Sequence, residues 1–216
     1  SKNPGLNDID LIIWPETSIS YFIANDQRIG GSISETLGTP VVLGGRRIEK
    51  NELYNSAFLL GSSGRIENIY DKTNLVPFGE YVPFGRFLSR VGVLGLTADG
   101  ILGYSAGESK KVLGSTDLQS FLILICYEVI FPERVDTAAI GASWIVQITN
   151  DAWFGKFSGP QQHLSLARMR AIEQGLPIVR AANTGISALI DPFGRIKAEI
   201  ELGRQDYIDV ILPRAL

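Results

Sequence analysis

The sequence predicts one α/β domain over residues 1–216, in which two packed β-sheets are covered on the outside by helices. About ten strand-like segments stand against about three or four helical ones, which favours two packed sheets over a single doubly wound sheet. With 216 residues, the chain can bury roughly 70% of its surface on folding. No internal repeat, low-complexity tract or charged linker divides it.

The first part of the chain is predicted to form four strands and one helix. The apolar run that ends at Pro15 is typical of a buried strand. Gly38, with Pro40 beyond it, ends a helix over residues 25–37. Turn residues 62–64 separate two alternating segments, which indicates a hairpin. The four strands are expected at residues 10–14, 40–48, 54–61 and 65–70.

The last part is predicted to form seven strands and two helices. Pro132 begins one helix, over residues 131–140, and Gly175 ends the other, over residues 160–174. The apolar face of the second helix consists of Leu164, Ala167, Ala171 and Ile172. The seven strands are expected at residues 111–115, 119–125, 143–149, 177–182, 186–190, 195–201 and 207–212.

Residues 73–109 form an unusually long connection between these two parts. Loops of this length in compact domains are commonly functional. The segment is rich in glycine and in apolar side chains, and more apolar than a surface loop needs to be. We therefore expect a lid with an apolar interaction surface, with packing on the core as the alternative. Its regularly spaced aromatic residues are Phe78, Tyr81, Phe84 and Phe87.

The composition excludes several classes of protein. A net charge of −3 and a pI near 5.3 argue against nucleic-acid binding, which needs a broad positive field. One cysteine excludes an internal disulfide, and one cysteine with one histidine argues against a zinc site. The longest strongly apolar run, residues 121–127, is far shorter than the roughly 20 residues that span a bilayer. No metal, nucleotide or redox-cofactor motif is present, so we expect no cofactor.

Cys126 is the candidate nucleophile. It stands between an apolar strand and a predicted helix, whose positive end is expected to lower the thiol pKa. The backbone N–H of Tyr127 can face a developing oxyanion there. Position alone nevertheless favours a buried structural cysteine. His163 is the usual first choice of base, but no Cys–His signature surrounds it, and we expect a structural role.

Glu16 and Lys72 complete the candidate site. Each follows a predicted strand, so both charges are expected at the edge of a sheet where α/β sites form. Alone, either one is more often an ordinary strand-end charge. A strand-end Glu, Lys and Cys together favour catalysis, because a carboxylate base beside an ammonium can activate a thiol without a histidine.

The segments around these residues resemble the nitrilase, or carbon–nitrogen hydrolase, superfamily. Its Glu–Lys–Cys pattern matches Trp14-Pro15-Glu16, Tyr70-Asp71-Lys72 and Cys126-Tyr127-Glu128. Further segments resemble the apolipoprotein N-acyltransferase family within it more than a soluble amidase. These segments are residues 72–83, 150–155, 162–164, 170–173 and 180–187.

The resemblance implies a four-layer α-β-β-α sandwich and acyl transfer through a thioester. Glu16 would be the general base, and Cys126 would carry the acyl chain. Lys72 and the Tyr127 N–H would stabilise the oxyanion. The supporting or substrate-binding residues would be Glu80, Tyr127, Glu128, Trp153 and Phe154.

The resemblance also implies the partners and the location. The acyl donor would be a phospholipid, and the acceptor would be the free amine of a diacylglyceryl-cysteine at a lipoprotein N-terminus. The domain would work at a membrane surface, on the periplasmic side of the bacterial inner membrane. Members of the family carry membrane helices on both sides of this domain, so we expect the chain to be part of a larger membrane protein.

Two other functions stay open on the sequence alone. A soluble carbon–nitrogen hydrolase would use the same three residues with water as the acceptor and a small amide as the substrate. The apolar character of residues 76–96 favours a lipid substrate instead. A catalytically silent binding domain is the third reading, although such a domain has no need of all three residues.

Overall fold

The computed structural model describes residues 8–19, 22, 33, 37–81, 103–108, 112–115 and 118–216. In this part of the chain, the first sheet has the strand order β1-β2-β3-β4, with β1 parallel to β2 and the other neighbours antiparallel. Its strands are β1 (Ile12–Ile13), β2 (Val41–Glu49), β3 (Glu52–Leu60) and β4 (Ile66–Asp71).

The second sheet has the order β10-β9-β8-β7-β6-β5, with a parallel centre of β6, β7 and β8 and antiparallel strands on both sides. Its strands are β5 (Val112–Ser115), β6 (Leu118–Ile125), β7 (Trp144–Asn150), β8 (Ile178–Asn183), β9 (Ser187–Ile190) and β10 (Ile196–Ile200). Helices α1 (Pro132–Ala138) and α2 (Ser158–Gln174) connect the parallel strands. A short 3-10 helix precedes each of them, Cys126–Ile130 and Asp151–Phe154.

Three clusters of buried apolar side chains separate four layers. One joins the facing sheets, with Leu59 and Tyr70 opposite Phe121 and Ile123. A second lies between the second sheet and helices α1 and α2, and a third covers the other face of the first sheet. Ile33 and Leu37, which are helical, pack on this third cluster. The predicted α-β-β-α sandwich is therefore confirmed.

Strand β6 shows why the sequence is apolar where it is. Phe121, Ile123 and Ile125 pack toward the first sheet, whereas Leu122 and Leu124 pack toward the helices. Because both faces of this strand are buried, the sequence is continuously apolar rather than alternating. The polar residues that follow such strands consequently meet at one edge of the sandwich.

The ten described strands and the two helices α1 and α2 begin and end within two residues of their predicted bounds. The predicted strand at residues 207–212 is wrong: that segment is irregular, and Ile211 is 92% exposed. A strand-like pattern describes side chains that fit a half-buried sheet surface, and in this segment only Leu212 packs on the core joining the sheets.

Three other expectations concern helices and loops. Ile172 is exposed, because it lies about 80° around the α2 axis from Leu164, while His163 and Arg170 occupy the buried face. Of the helix expected over residues 25–37, only Ile33 and Leu37 are described. Most of the predicted lid, including residues 82–102, lies outside the described residues. No helix in the described part is both long and apolar enough to cross a membrane.

Candidate active site

Glu16 follows β1 and is buried between the two sheets. One carboxylate oxygen accepts a hydrogen bond from Asn55 Nδ2 at 2.7 Å, and the other accepts from the Asn150 backbone N–H at 2.7 Å. Asn150 ends β7, so the carboxylate connects the two sheets. Burial raises the pKa of Glu16, although the charge of Lys72 acts in the opposite direction. A raised pKa makes the carboxylate a better proton acceptor.

The backbone at Glu16 is fixed by Gly44 of β2. The Gly44 N–H donates to the Pro15 carbonyl at 3.2 Å, and the Ser18 N–H donates to the Gly44 carbonyl at 3.1 Å. A Cβ atom at residue 44 would lie 2.6 Å from the Glu16 Cα and 2.6 Å from the Pro15 oxygen. Such contacts are too close for any side chain, so a glycine is required for Glu16 to take this position. The sequence analysis did not identify Gly44.

Lys72 follows β4 and is 1% exposed. Its Nζ donates to Glu80 Oε1 at 2.8 Å and lies 3.7 Å from Glu16 Oε1. Burial lowers the pKa of this ammonium, but the negative charges of the Glu16 and Glu80 carboxylates outweigh burial and raise the pKa above its ordinary value. Lys72 is therefore a fixed positive charge at this edge.

Asn55 of β3 connects the two glutamates. Its Nδ2 donates to Glu16 at 2.7 Å and to Glu80 at 3.0 Å, and its backbone carbonyl accepts from the Lys72 N–H at 2.9 Å. The second Glu80 oxygen accepts from the Val76 N–H at 2.9 Å. The sequence analysis missed Asn55; a buried amide in the middle of an apolar strand is the signal that could have revealed it.

Cys126 begins the 3-10 helix after β6 and has a φ of 49°. This left-handed conformation costs on the order of 1–2 kcal/mol for a residue with a Cβ. It is typical of the sharp strand-to-helix turn that presents a nucleophile. The structure thus brings the three predicted residues to one edge: Lys72 Nζ lies 3.7 Å from Glu16 Oε1, and Glu128 accepts from the N–H after Lys72 and from the N–H before Cys126.

The expectation that a helix lowers the Cys126 pKa is wrong. Burial, followed by the negative charge of Glu16, raises the pKa of the thiol to about 12, although Lys72 and the Thr149 hydroxyl lower it. The helix after Cys126 has only five residues. The dipole of one short turn is weak compared with the cost of burying a thiolate.

Glu128 joins the segment after Lys72 to the turn at Cys126. Its carboxylate accepts hydrogen bonds from the Thr73 N–H at 2.9 Å, the Asn74 N–H at 3.1 Å and the Tyr70 hydroxyl at 2.9 Å. It also accepts from the Ile125 N–H at 2.9 Å, as the acid of a capping box does. A fully buried carboxylate with this many donors holds both segments in one arrangement.

The remaining predicted residues lie in the two 3-10 helices that follow β6 and β7. The Tyr127 ring is half-buried and lies edge-on to the Phe131 ring at 5.3 Å. Trp153 and Phe154 belong to the 3-10 helix after Asn150, where Trp153 is 72% exposed and Phe154 packs 5.3 Å from the His163 ring. His163 is buried, and its ring nitrogens lie near Asp151 and the Cys126 carbonyl oxygen.

A buried Glu, Lys and Cys at the edge of an α-β-β-α sandwich invite comparison with known proteins. The model of the family described as carbon-nitrogen hydrolase matches residues 1–215. The chain belongs to the carbon–nitrogen hydrolase family. This membership confirms the resemblance inferred from the motifs.

Within the family, the chain is most usefully compared with proteins named apolipoprotein N-acyltransferase. The one from Rhodopseudomonas palustris is 43% identical, over 98% of this chain and 41% of its own length. The one from Brucella melitensis is 42% identical, over 94% of this chain and 40% of its own length. The chain thus spans about two fifths of the length of these relatives.

Solved structures of the family share the fold. An amidase from Nesterenkonia sp. AN1, with an acetamide moiety added at its active-site cysteine, superposes with a TM-score of 0.66 at 22% identity, covering 89% of this chain and 73% of the amidase. A carbon–nitrogen hydrolase from Helicobacter pylori gives a TM-score of 0.68 at 14% identity, covering 91% of this chain and 75% of that protein. At these identities the likeness concerns the fold alone.

Proposed function

We propose that this chain is the catalytic domain of an apolipoprotein N-acyltransferase and forms part of a larger membrane protein. The observation that carries the proposal is the buried cluster of Glu16, Lys72 and Cys126, in a chain 43% identical to an enzyme of that name. The chemistry of the three groups agrees with this: a carboxylate with a raised pKa can accept a proton, a buried ammonium can stabilise an oxyanion, and a thiol can carry an acyl group.

The first step forms a thioester on Cys126. Glu16 accepts the thiol proton while the sulfur attacks an ester carbonyl of a phospholipid. Lys72 and the Tyr127 N–H stabilise the oxyanion, and Tyr127 is suited to this because the first N–H groups of a helix have no partner within it. The ester C–O bond then breaks, the departing alcohol takes the proton from Glu16, and the acyl chain stays on sulfur.

The second step transfers the acyl chain to nitrogen. The free amine of a diacylglyceryl-cysteine attacks the thioester carbonyl, and Glu16 accepts a proton from that nitrogen. The C–S bond breaks, Cys126 takes the proton back as a thiol, and an amide is released. Two such steps have lower barriers than one direct transfer from ester to amide.

Glu80 and Glu128 act in this proposal as positioning residues. Glu80 holds the Lys72 ammonium at 2.8 Å, and Glu128 bonds the turns next to Lys72 and Cys126 to each other. Neither carboxylate takes part in proton transfer. They keep the oxyanion donors fixed, which is the arrangement that stabilises a transition state without reorganisation.

Exposed aromatic side chains beside the site support a lipid substrate. Phe78, two residues before Glu80, is 68% exposed, and Trp153 and Phe157 are more exposed still. Exposed aromatic side chains are suited to contact apolar groups such as acyl chains or a membrane interface. We propose that they contact the acyl chains or the membrane, at the periplasmic side of the bacterial inner membrane that the family resemblance implies.

Intact-mass measurement of the full-length protein tests the proposal. After incubation with phospholipid, the protein should gain the mass of one acyl group, and Cys126→Ala should gain none. Adding a diacylglyceryl-cysteine peptide should remove the adduct from the protein and acylate the peptide. An adduct that persists in Cys126→Ala would refute the nucleophile. Rapid release to water, with fast turnover of small amides, would instead identify an amidase.

A further inference from the structure

A second cluster of buried polar side chains lies directly behind Cys126. One Asp151 oxygen, Oδ1, accepts from the Thr149 hydroxyl at 2.9 Å and lies 2.8 Å from His163 Nδ1. The other, Oδ2, accepts from Arg180 Nη2 at 2.5 Å. None of these four side chains is more than 3% exposed. The two-step reaction above uses none of them, although such a buried charged cluster is costly to maintain.

The cluster reaches Cys126 at two points. His163 Nε2 lies 3.2 Å from the Cys126 carbonyl oxygen, and Gln147 Nε2 donates to the same oxygen at 3.4 Å. At the other end of the residue, the Thr149 hydroxyl lies beside the Cys126 thiol. Its single hydrogen goes to Asp151 while the thiol is protonated, and it can donate to the sulfur only by turning away from Asp151 once the thiolate forms. A single oxygen of Asp151 is therefore linked to the sulfur through Thr149 and to the backbone through His163.

The direction of these hydrogen bonds is fixed by chemistry. A carboxylate and a carbonyl oxygen only accept, so His163 donates to Asp151 at Nδ1 and to Cys126 at Nε2 as the doubly protonated imidazolium, the form that pairs with the buried Asp151 carboxylate. The Cys126 carbonyl is thereby held by His163 and Gln147, one donor for each of its lone pairs. This is the carbonyl of the residue whose φ of 49° is unfavourable for a side chain with a Cβ.

We propose that Asp151 is the positioning centre for the nucleophile. Through His163 it holds the left-handed turn at Cys126, and through Thr149 it keeps the sulfur directed at the groups that activate it. Arg180 fixes Asp151 in turn, with its Nε donating to the Ile186 carbonyl at 3.0 Å. The proposal rests on Cys126 being the nucleophile proposed above. None of the positioning residues touches the substrate.

Two replacements of His163 separate its two contacts. The amide nitrogen of Gln reaches the place of Nε2, and the amide nitrogen of Asn reaches the place of Nδ1. We expect His163→Gln, which keeps the donor to the Cys126 carbonyl but loses the contact with Asp151, to slow single-turnover acylation by less than about 10-fold. His163→Asn, which keeps only the donor to Asp151, should slow acylation about 10- to 100-fold while KM for the donor stays unchanged.

Thr149 tests the other contact. Thr149→Val has nearly the same shape without the hydroxyl, and Thr149→Ser restores it. Alkylation of Cys126 by iodoacetamide should shift to higher pH in Thr149→Val and return to the wild-type profile in Thr149→Ser. The charged groups that act on the thiol remain in both Thr149 variants, and they are Glu16, Lys72, Asp151 and Arg180.

Alkylation of Cys126 needs no lipid, so the positioning role of Asp151 can be tested independently of the proposed acyl transfer. All measurements use the full-length protein at temperatures where each variant is folded. Asp151→Asn alters the proposed centre itself and should slow single-turnover acylation. Its matched control is Asp191→Asn, since Asp191 is also a buried carboxylate but accepts from the Phe193 and Arg195 N–H groups in the turn after β9. It should lower the melting temperature without moving the alkylation profile.

The outcomes are distinct. Equal slowing by His163→Gln and His163→Asn, or an unmoved alkylation profile in Thr149→Val, would overturn the positioning role and leave the acyl transfer standing. Shifted alkylation profiles in a protein whose Cys126 never acquires an acyl group from phospholipid would refute the proposed function instead, while the positioning of the thiol would hold.

Discussion

Replacing Lys72 with methionine removes the ammonium that lies beside two buried carboxylates. Methionine fills a similar volume, so the main change is electrostatic. Glu16 and Glu80 then face each other across the Asn55 amide without the cation that lies 3.7 Å and 2.8 Å from them. Lys72 is 1% exposed and the two carboxylates are 6% and 13% exposed, so solvent screens these charges little.

Removing one partner of a buried ion pair costs about 3–5 kcal/mol of folding free energy. For a domain of this size, each kcal/mol lowers the melting temperature by about 2–4 °C, so we expect a decrease of about 6–20 °C at pH 8. Loss of the oxyanion donor should separately reduce kcat by about 10²–10³, or roughly 3–4 kcal/mol in the barrier.

The pH dependence separates charge from packing. Burial already raises the pKa of Glu16, and removing Lys72 raises it further, because the charge that lowers it is gone. A carboxyl whose folded pKa exceeds its unfolded value contributes its stability at low pH and loses it as the pH rises through the folded pKa. The deficit of Lys72→Met should therefore be largest at pH 8 and shrink toward pH 5, where Glu16 takes up a proton.

The assay is thermal unfolding of the full-length wild type, Lys72→Met, Glu80→Gln and the double variant at both pH values. The double variant should be more stable at pH 8 than Lys72→Met, because one of the two unpaired charges is gone. A deficit in Lys72→Met that is equal at pH 5 and pH 8, and that Glu80→Gln does not relieve, would show that Lys72 acts through packing alone.

Three further predictions concern Glu16 and the two residues that hold it in position, Gly44 and Asn55. Glu16→Gln keeps the shape and removes the base, so turnover should fall by on the order of 10² or more, and a smaller loss in a folded variant would exclude Glu16 as the base. Gly44→Ala should cost about 1–3 kcal/mol in stability through overpacking against Glu16 and Pro15, measured as a lower melting temperature together with slower acylation. Asn55→Leu should lower both the melting temperature and the acylation rate, since it leaves the Glu16 and Glu80 carboxylates without the donor that they share. Acylation at the wild-type rate would show that the hydrogen bonds of Asn55 have no role.

The candidate catalytic residues could be found in the sequence because each stands where a recognisable strand ends. Glu16 follows a run closed by a proline, Lys72 follows a hairpin strand, and Cys126 follows a fully apolar strand. Those signals are local, and the layered fold follows from the same apolar patterns. What the chain does not display locally is how its strands pair.

Gly44 and Asn55 illustrate this limit. Both lie within strands of ordinary appearance, and their importance arises because β1 lies beside β2 and because β3 carries Asn55 next to Glu16. Asp151 and Arg180 become partners only when β7 and β8 pair in parallel. The prediction of a strand at residues 207–212 was wrong because a strand also needs a neighbouring strand to pair with, and a local sequence pattern does not show whether one is present.

The raised pKa values of Glu16 and Cys126 have one mechanistic consequence. A thiol with a pKa of about 12 is protonated at neutral pH, so the cluster does not store a thiolate before the substrate arrives. Burial raises the pKa of Glu16 as well, so the difference in pKa between the Cys126 thiol, which gives the proton, and the Glu16 carboxylate, which accepts it, becomes smaller. In the proposed mechanism, proton transfer to Glu16 therefore belongs to the same event as sulfur attack, when the negative charge passes from the carboxylate to the oxyanion beside Lys72. A reagent that only needs a thiolate should react slowly with Cys126, whereas an ester held against Lys72 should react fast.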